Sequence, residues 1–152
     1  MKKIILSIAI LLAITGSSFA KTTGKINERV IASFKNDFNQ ATEVKWEVTS
    51  SYIMATFQLD KDILYAYYDF QGTLIGLVHN ILTSSLPAHL QKDIKKHYAK
   101  YWVSELFQVT SEDGVYYYIQ LKNADETIVL STEGTTDWHR YALPKNNKTN
   151  LR

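Results

Sequence analysis

Four histidines, His79, His89, His97 and His139, are the residues of this chain best suited to metal binding or proton transfer. His89 and His97 lie eight positions apart in a stretch of helical periodicity. They project roughly 80° apart around the axis and do not converge. No H-x-x-x-H or His–carboxylate motif with ligand spacing appears. Solvated or core histidines are therefore expected, with a metal site built from distant residues as the minor alternative. The densest carboxylates are Asp60, Asp62 and Asp69. A calcium loop needs more oxygen ligands than D-K-D supplies, so an Asp-rich hairpin turn is expected instead. Nothing marks a sugar-sized cleft between paired carboxylates. The chain has no Cys, so thiol chemistry is impossible, and its 6 glycines are scattered singly. There is neither a phosphate-cradling loop nor a G-x-S-x-G nucleophile motif in the mature sequence. No catalytic residue, metal or cofactor is assigned.

Tyrosine stands out instead, with 10 in 152 residues. In the β-rich stretches, Tyr52 and Met54 alternate with Ile53, Ala55 and Phe57. Tyr65 and Tyr67 alternate with Ala66 and Tyr68, and Tyr116 and Tyr118 with Tyr117, Ile119 and Leu121. If the Ile/Ala/Phe/Leu side meets helices, the first-named six form an exposed patch on the opposite face. Tyr joins a large apolar body to a polar tip and is enriched in protein interfaces. Cross-strand Tyr pairs that simply stabilise an open sheet explain the same pattern.

The elements that would position these residues are legible from periodicity. Strands are predicted over residues 44–49, 53–59, 63–69 and 73–81, with Gly76 marking a bulge in the last. Ser50-Ser51 and Asp60-Lys61-Asp62 are the turns between the first three. Before them, Asn27 is a helix N-cap and Val30, Phe34 and Phe38 form one apolar stripe. The cycle then repeats. Leu86-Pro87 opens a second helix, and Leu90, Ile94 and Tyr98 renew the stripe. Further strands are predicted over 103–110, 115–122, 127–132 and 138–143, with Asp113-Gly114 as a hairpin turn. Ala55 and Phe57 match Ile119 and Leu121; Ala66 and Tyr68 match Ile128 and Leu130. An internal duplication follows, with repeats of about 27–82 and 83–143. The six stripe residues are expected to feed one continuous core, with separately packed halves as the alternative.

Residues 1–20 read as a signal peptide: Lys2 and Lys3, an apolar run, then Ser18-Phe19-Ala20 at the cleavage site. The run is too short to be a membrane anchor, and no Cys follows it to carry a lipid. Cleavage after Ala20 and a periplasmic or secreted location are expected, with a polar lead-in at 21–26 and a polar tail at 144–152. Without Lys2 and Lys3 the chain is formally neutral, which disfavours nucleic acid and anionic membrane surfaces as partners. Lys92, Lys95, Lys96 and Lys100 then read as the solvated side of the second helix.

Several stretches carry a family resemblance: Ala41-Thr42-Glu43-Val44-Lys45-Trp46, Ala55-Thr56-Phe57, Ala66-Tyr67-Tyr68-Asp69-Phe70-Gln71-Gly72, and Leu86-Pro87 opening a helix. In this order the chain resembles the PepSY-like, or β-lactamase-inhibitor-like, group of small secreted bacterial proteins, over residues 27–143. The resemblance implies an antiparallel sheet with helices on one face and the other face open. It also implies inhibition or chaperoning of secreted peptidases; the β-lactamase inhibitory protein grips its enzyme with a concave sheet surface. That inhibitor's repeats carry disulfides and this chain has none. The expected fold is α+β: a mainly antiparallel sheet of seven to eight strands with two helices on one face, in a tandem helix-plus-four-strand repeat. The expected function is a non-enzymatic exported binding module for a protein or peptide of the cell envelope. The alternatives are a small periplasmic hydrolase and a structural or ligand-carrying envelope protein.

Overall fold

The computed structural model describes residues 26–141. The expected signal peptide, the lead-in up to residue 25 and the polar tail lie outside the described residues. Helix α1 (Glu28–Asp37) is followed by strands β1 (Thr42–Val48), β2 (Ile53–Leu59), β3 (Asp62–Tyr68) and β4 (Leu74–Asn80). A short 3-10 turn leads into α2 (Ala88–His97), then β5 (Trp102–Ser111), β6 (Gly114–Lys122), β7 (Thr127–Thr132) and β8 (Trp138–Arg140). The strands form one 8-stranded sheet in the order β1 to β8, every neighbour antiparallel. The α+β architecture and the succession of two helix-plus-four-strand units are as the periodicity indicates.

Local chemistry sets the ends of these elements. The Asn27 side chain accepts a hydrogen bond from the Arg29 N–H at 3.0 Å, satisfying a donor the helix leaves unpaired. Its amide donates to the Phe70 carbonyl at 3.0 Å, tying α1 to the β3–β4 turn. Gly72 closes that turn with φ 95, and a Cβ there would sit 3.2 Å from the Arg29 carbonyl. Glycine alone meets both demands. The second half repeats the tie with other residues. His89 Nε2 donates to the Thr135 carbonyl at 2.7 Å, and Trp138 Nε1 donates to the Leu90 carbonyl at 3.2 Å. Between β2 and β3, Asp60 and Lys61 both have positive φ, the backbone of a tight two-residue hairpin turn.

Several expectations need correction. Residues Glu112 and Asp113 make the β5–β6 turn, because Ser111 already pairs with Gly114. Strand β8 ends at Arg140 rather than running to Leu143, which lies outside the described residues. The β4 bulge falls at Ile75, beside Gly76: Tyr67 pairs with Gly76 but Tyr68 with Leu74. Ala55 pairs with Ala66 and Ile119 with Leu130, so the counterpart of Ala66 is Leu130, not Ile128.

The core beneath the helices is also two clusters rather than one. Val30 and Phe34 of α1 pack with Ile53, Ala55, Phe57, Leu64, Ala66 and Tyr68. Leu90 and Ile94 of α2 pack with Leu106, Tyr117, Ile119, Leu121, Ile128 and Leu130. On the helix side of the central strands, His79 pairs with Leu64 on one edge and Gln108 on the other. Two polar residues at the seam between the helices interrupt the apolar surface there. The last stripe residues, Phe38 and Tyr98, sit at the helix C-caps and are only half-buried.

Candidate binding face

Strand parity places Tyr52, Met54, Tyr65, Tyr67, Tyr116 and Tyr118 together, on the face opposite the helices. The register shows how they connect. One row runs across five strands as Thr56, Tyr65, Val78, Val109 and Tyr116. A second runs through Asn80, Phe107, Tyr118, Ser131 and His139. A third joins Glu47, Met54, Tyr67 and Gly76. Met54 of β2 and the tyrosines of β3 are thus bridged to those of β6 by Val78, Phe107 and Val109.

The six residues do not share one environment. Tyr67 is only 1% exposed, so it belongs to the floor of the face and not to its surface. Val78 (0%), Val109 (5%) and Phe107 (9%) complete that floor, although no described helix lies over them. Gly76 has no side chain opposite Tyr67, which leaves room for the ring. Around the floor stand Tyr52, Met54, Tyr65, Tyr116, Tyr118, Ile75 and Tyr141, all half-buried. Tyr52 meets Tyr67 edge-on at 5.3 Å between centroids, and Tyr118 meets Tyr141 at 6.0 Å and 90°. Such edge contacts suit the ring quadrupoles and hold the side chains in place.

The hydroxyls at the centre of this face resist ionisation. Burial pushes the Tyr118 hydroxyl up to about 12, with the neighbouring Tyr141 and Tyr116 adding to the shift. Burial likewise raises Tyr67, helped by Tyr52, Tyr65 and Glu47. Tyr52 is raised by burial and by Glu47, against a Thr49 hydrogen bond that lowers it. At neutral pH these groups are uncharged phenols that donate and accept hydrogen bonds.

Phe107, Val109, Val78, Ile75 and Tyr141 were not singled out by sequence reasoning. Leu106-Phe107-Gln108-Val109 is apolar on both faces of β5, so alternation alone does not say which side is core. The pairing shift between Val103 and Glu105 sends Leu106 to the helices and Phe107 and Val109 to the open face.

Elsewhere several ionisable groups have structural partners. His79 lies 3.4 Å from Asp62. Asp93 and His97, four apart on α2, meet at 2.6 Å, a helical His–carboxylate pair the sequence reading passed over. No group of three or more His, Cys, Asp or Glu suited to a metal occurs among the described residues. Asp69 accepts bonds from the Gln71 and Thr73 N–H groups at 2.9 and 2.8 Å and holds the β3–β4 turn. A cavity of about 480 Å³ lies between α1 and β1, where Lys35 is the one ionisable lining residue. Acid–base chemistry needs a second converging group.

No protein-family model matches this chain, and no curated protein matches it in sequence. Solved structures do resemble it. A BLIP-like protein from Bacteroides fragilis superposes with a TM-score of 0.71 at 14% identity, covering 83% of this chain and 93% of its own. A candidate periplasmic protein from Bacteroides eggerthii gives 0.71 at 11%, covering 78% and 89%. A DUF2874 family protein from Bacteroides ovatus gives 0.66 at 15%, covering 71% and 80%. At these identities the likeness is one of fold, a BLIP-like sheet with two helices.

Proposed function

We propose that this protein is a non-enzymatic binding module of the cell envelope, whose sheet face opposite the two helices docks a protein or peptide partner. One observation carries the reading: an apolar floor of Tyr67, Val78, Phe107 and Val109 ringed by half-buried tyrosines, with no described helix to account for it. A sheet face that merely stood in water would be expected to carry polar residues at such positions. Rigid aromatic rings with polar tips are the residues in which interfaces concentrate their energy. The BLIP-like fold and the periplasmic description of one fold neighbour support the envelope setting. A secreted peptidase to be inhibited or chaperoned is the partner that the family resemblance suggests.

The test uses the rim and spares the floor. The protein is immobilised and challenged with a panel of purified secreted peptidases from the same host, scoring capture and residual activity. Tyr65→Ser with Tyr118→Ser should abolish any binding seen with wild type. Phe70→Ser, an exposed aromatic on the β3–β4 turn, should leave it intact. Equal binding by wild type and the double variant would refute the assignment of this face.

A further inference from the structure

The outer edge of β1 has the chemistry to pair with itself. As first strand of the sheet, β1 has one side of its backbone ladder unpaired among the described residues. The Thr49 N–H bonds to the Tyr52 carbonyl at 3.0 Å, and antiparallel ladders alternate bonded with non-bonded pairs. Glu47 and Met54 are therefore a bonded pair, while Trp46–Ala55 and Val48–Ile53 are not. The N–H and C=O groups of Trp46 and Val48 consequently point outward from the sheet. Beside them, on the helix side, is the cavity lined by Ile31, Phe34, Lys35, Phe38, Val44 and Trp46. Unpaired donors and acceptors beside an apolar cleft form a template for strand addition.

We propose that β1 pairs antiparallel with β1 of a second copy of this chain, about a two-fold axis through Trp46. A two-fold axis perpendicular to the sheet opposes residues of the same face, so it must pass through a residue. Either kind of pair can lie on the axis, but centring on Lys45 or Glu47 would set that charge against its own copy, which leaves Trp46 or Val48. Centring on Trp46 sets Lys45 opposite Glu47 of the second copy, twice by symmetry, and Val44 opposite Val48. Centring on Val48 would set Glu47 against Thr49 and run Trp46 into the Ser50-Ser51 turn. Opposite charges directly across strands stabilise pairing and like charges oppose it. Neither Lys45 nor Glu47 is engaged in an ion pair among the described residues. The second copy's Val44 and Trp46 would come over the apolar cleft, covering Val44, now 36% exposed. The contact is isologous and closes as a dimer. The bulge between Thr42 and Lys45 ends the regular edge and limits the pairing to a few residues.

Sedimentation velocity on the folded protein, over a wide concentration range at low salt, tests this. Wild type should shift from monomer to dimer as concentration rises. Lys45→Glu and Glu47→Lys should each lose the dimer, because each sets like charges face to face. An equimolar mixture of the two variants should associate again, since their charges then match. Both side chains lie off the buried core, so thermal melts of the variants should follow wild type and exclude misfolding as the cause. Wild type that stays monomeric throughout, or single variants that dimerise as wild type does, would overturn the proposal. So would a dimer abolished by Tyr65→Ser but indifferent to Lys45→Glu, which would place the contact on the face opposite the two helices.

Discussion

If α1 and α2 cover separate clusters, substitutions beneath them should act independently. Phe34 is 4% exposed and meets Trp46 edge-on at 5.1 Å and Phe57 at 5.0 Å. Phe34→Leu keeps an apolar side chain but removes these edge contacts, each worth about 0.5–1.5 kcal/mol beyond simple burial. A loss of about 1.5 kcal/mol is expected. Ile94, 8% exposed beneath α2, should lose about 1 kcal/mol as Ile94→Val, one buried methyl with its small cavity. Because the polar pair His79 and Gln108 lies at the seam between the clusters, the double variant should lose the sum, with coupling below about 0.5 kcal/mol. Phe34→Leu with Phe57→Leu should not be additive, since both remove the same ring contact. Urea unfolding followed by tyrosine and tryptophan fluorescence gives each value. With a slope of about 1–3 kcal/mol/M, a loss of 1.5 kcal/mol moves the midpoint by roughly 1 M. Coupling above about 1 kcal/mol between Phe34 and Ile94 would show a single continuous core and refute the two-cluster description.

Two further outcomes follow from the open face. Tyr67→Ser should lower stability by about 3 kcal/mol, as a buried ring is lost, whereas Tyr65→Ser should cost under about 1 kcal/mol; equal effects in thermal melts would contradict the division into floor and rim. In alkaline titration, the Tyr118 hydroxyl is held neutral by burial, its value raised from 10.0 to about 12. The raised value means its stabilising contribution is complete below pH 10 and lost as pH climbs from there through about 12. Tyrosinate absorbance of the native protein should therefore show late-ionising groups, a fraction that Tyr118→Phe reduces; a single wave near pH 10 for all tyrosines would be the contrary result.

Alternation and helical spacing were enough to read the two helices, most strand positions and the order in which they repeat. They sufficed because most strands bury the side that meets the helices, and a one-residue slip would expose it. The same parity puts Tyr52, Met54, Tyr65, Tyr67, Tyr116 and Tyr118 on one face. Three things needed the tertiary structure. Burial of Tyr67 depends on Gly76 and Val78 of the neighbouring strand, and no local pattern in β3 separates it from Tyr65. Phe107 and Val109 reach the open face through an irregularity in β5, and one extra residue reverses every later side chain. The division of the core into two depends on His79 and Gln108 becoming neighbours across β4 and β5, residues far apart in the chain. Sequence periodicity reports which side of its own element a residue occupies; the residues facing it belong to other strands, and only their pairing decides them.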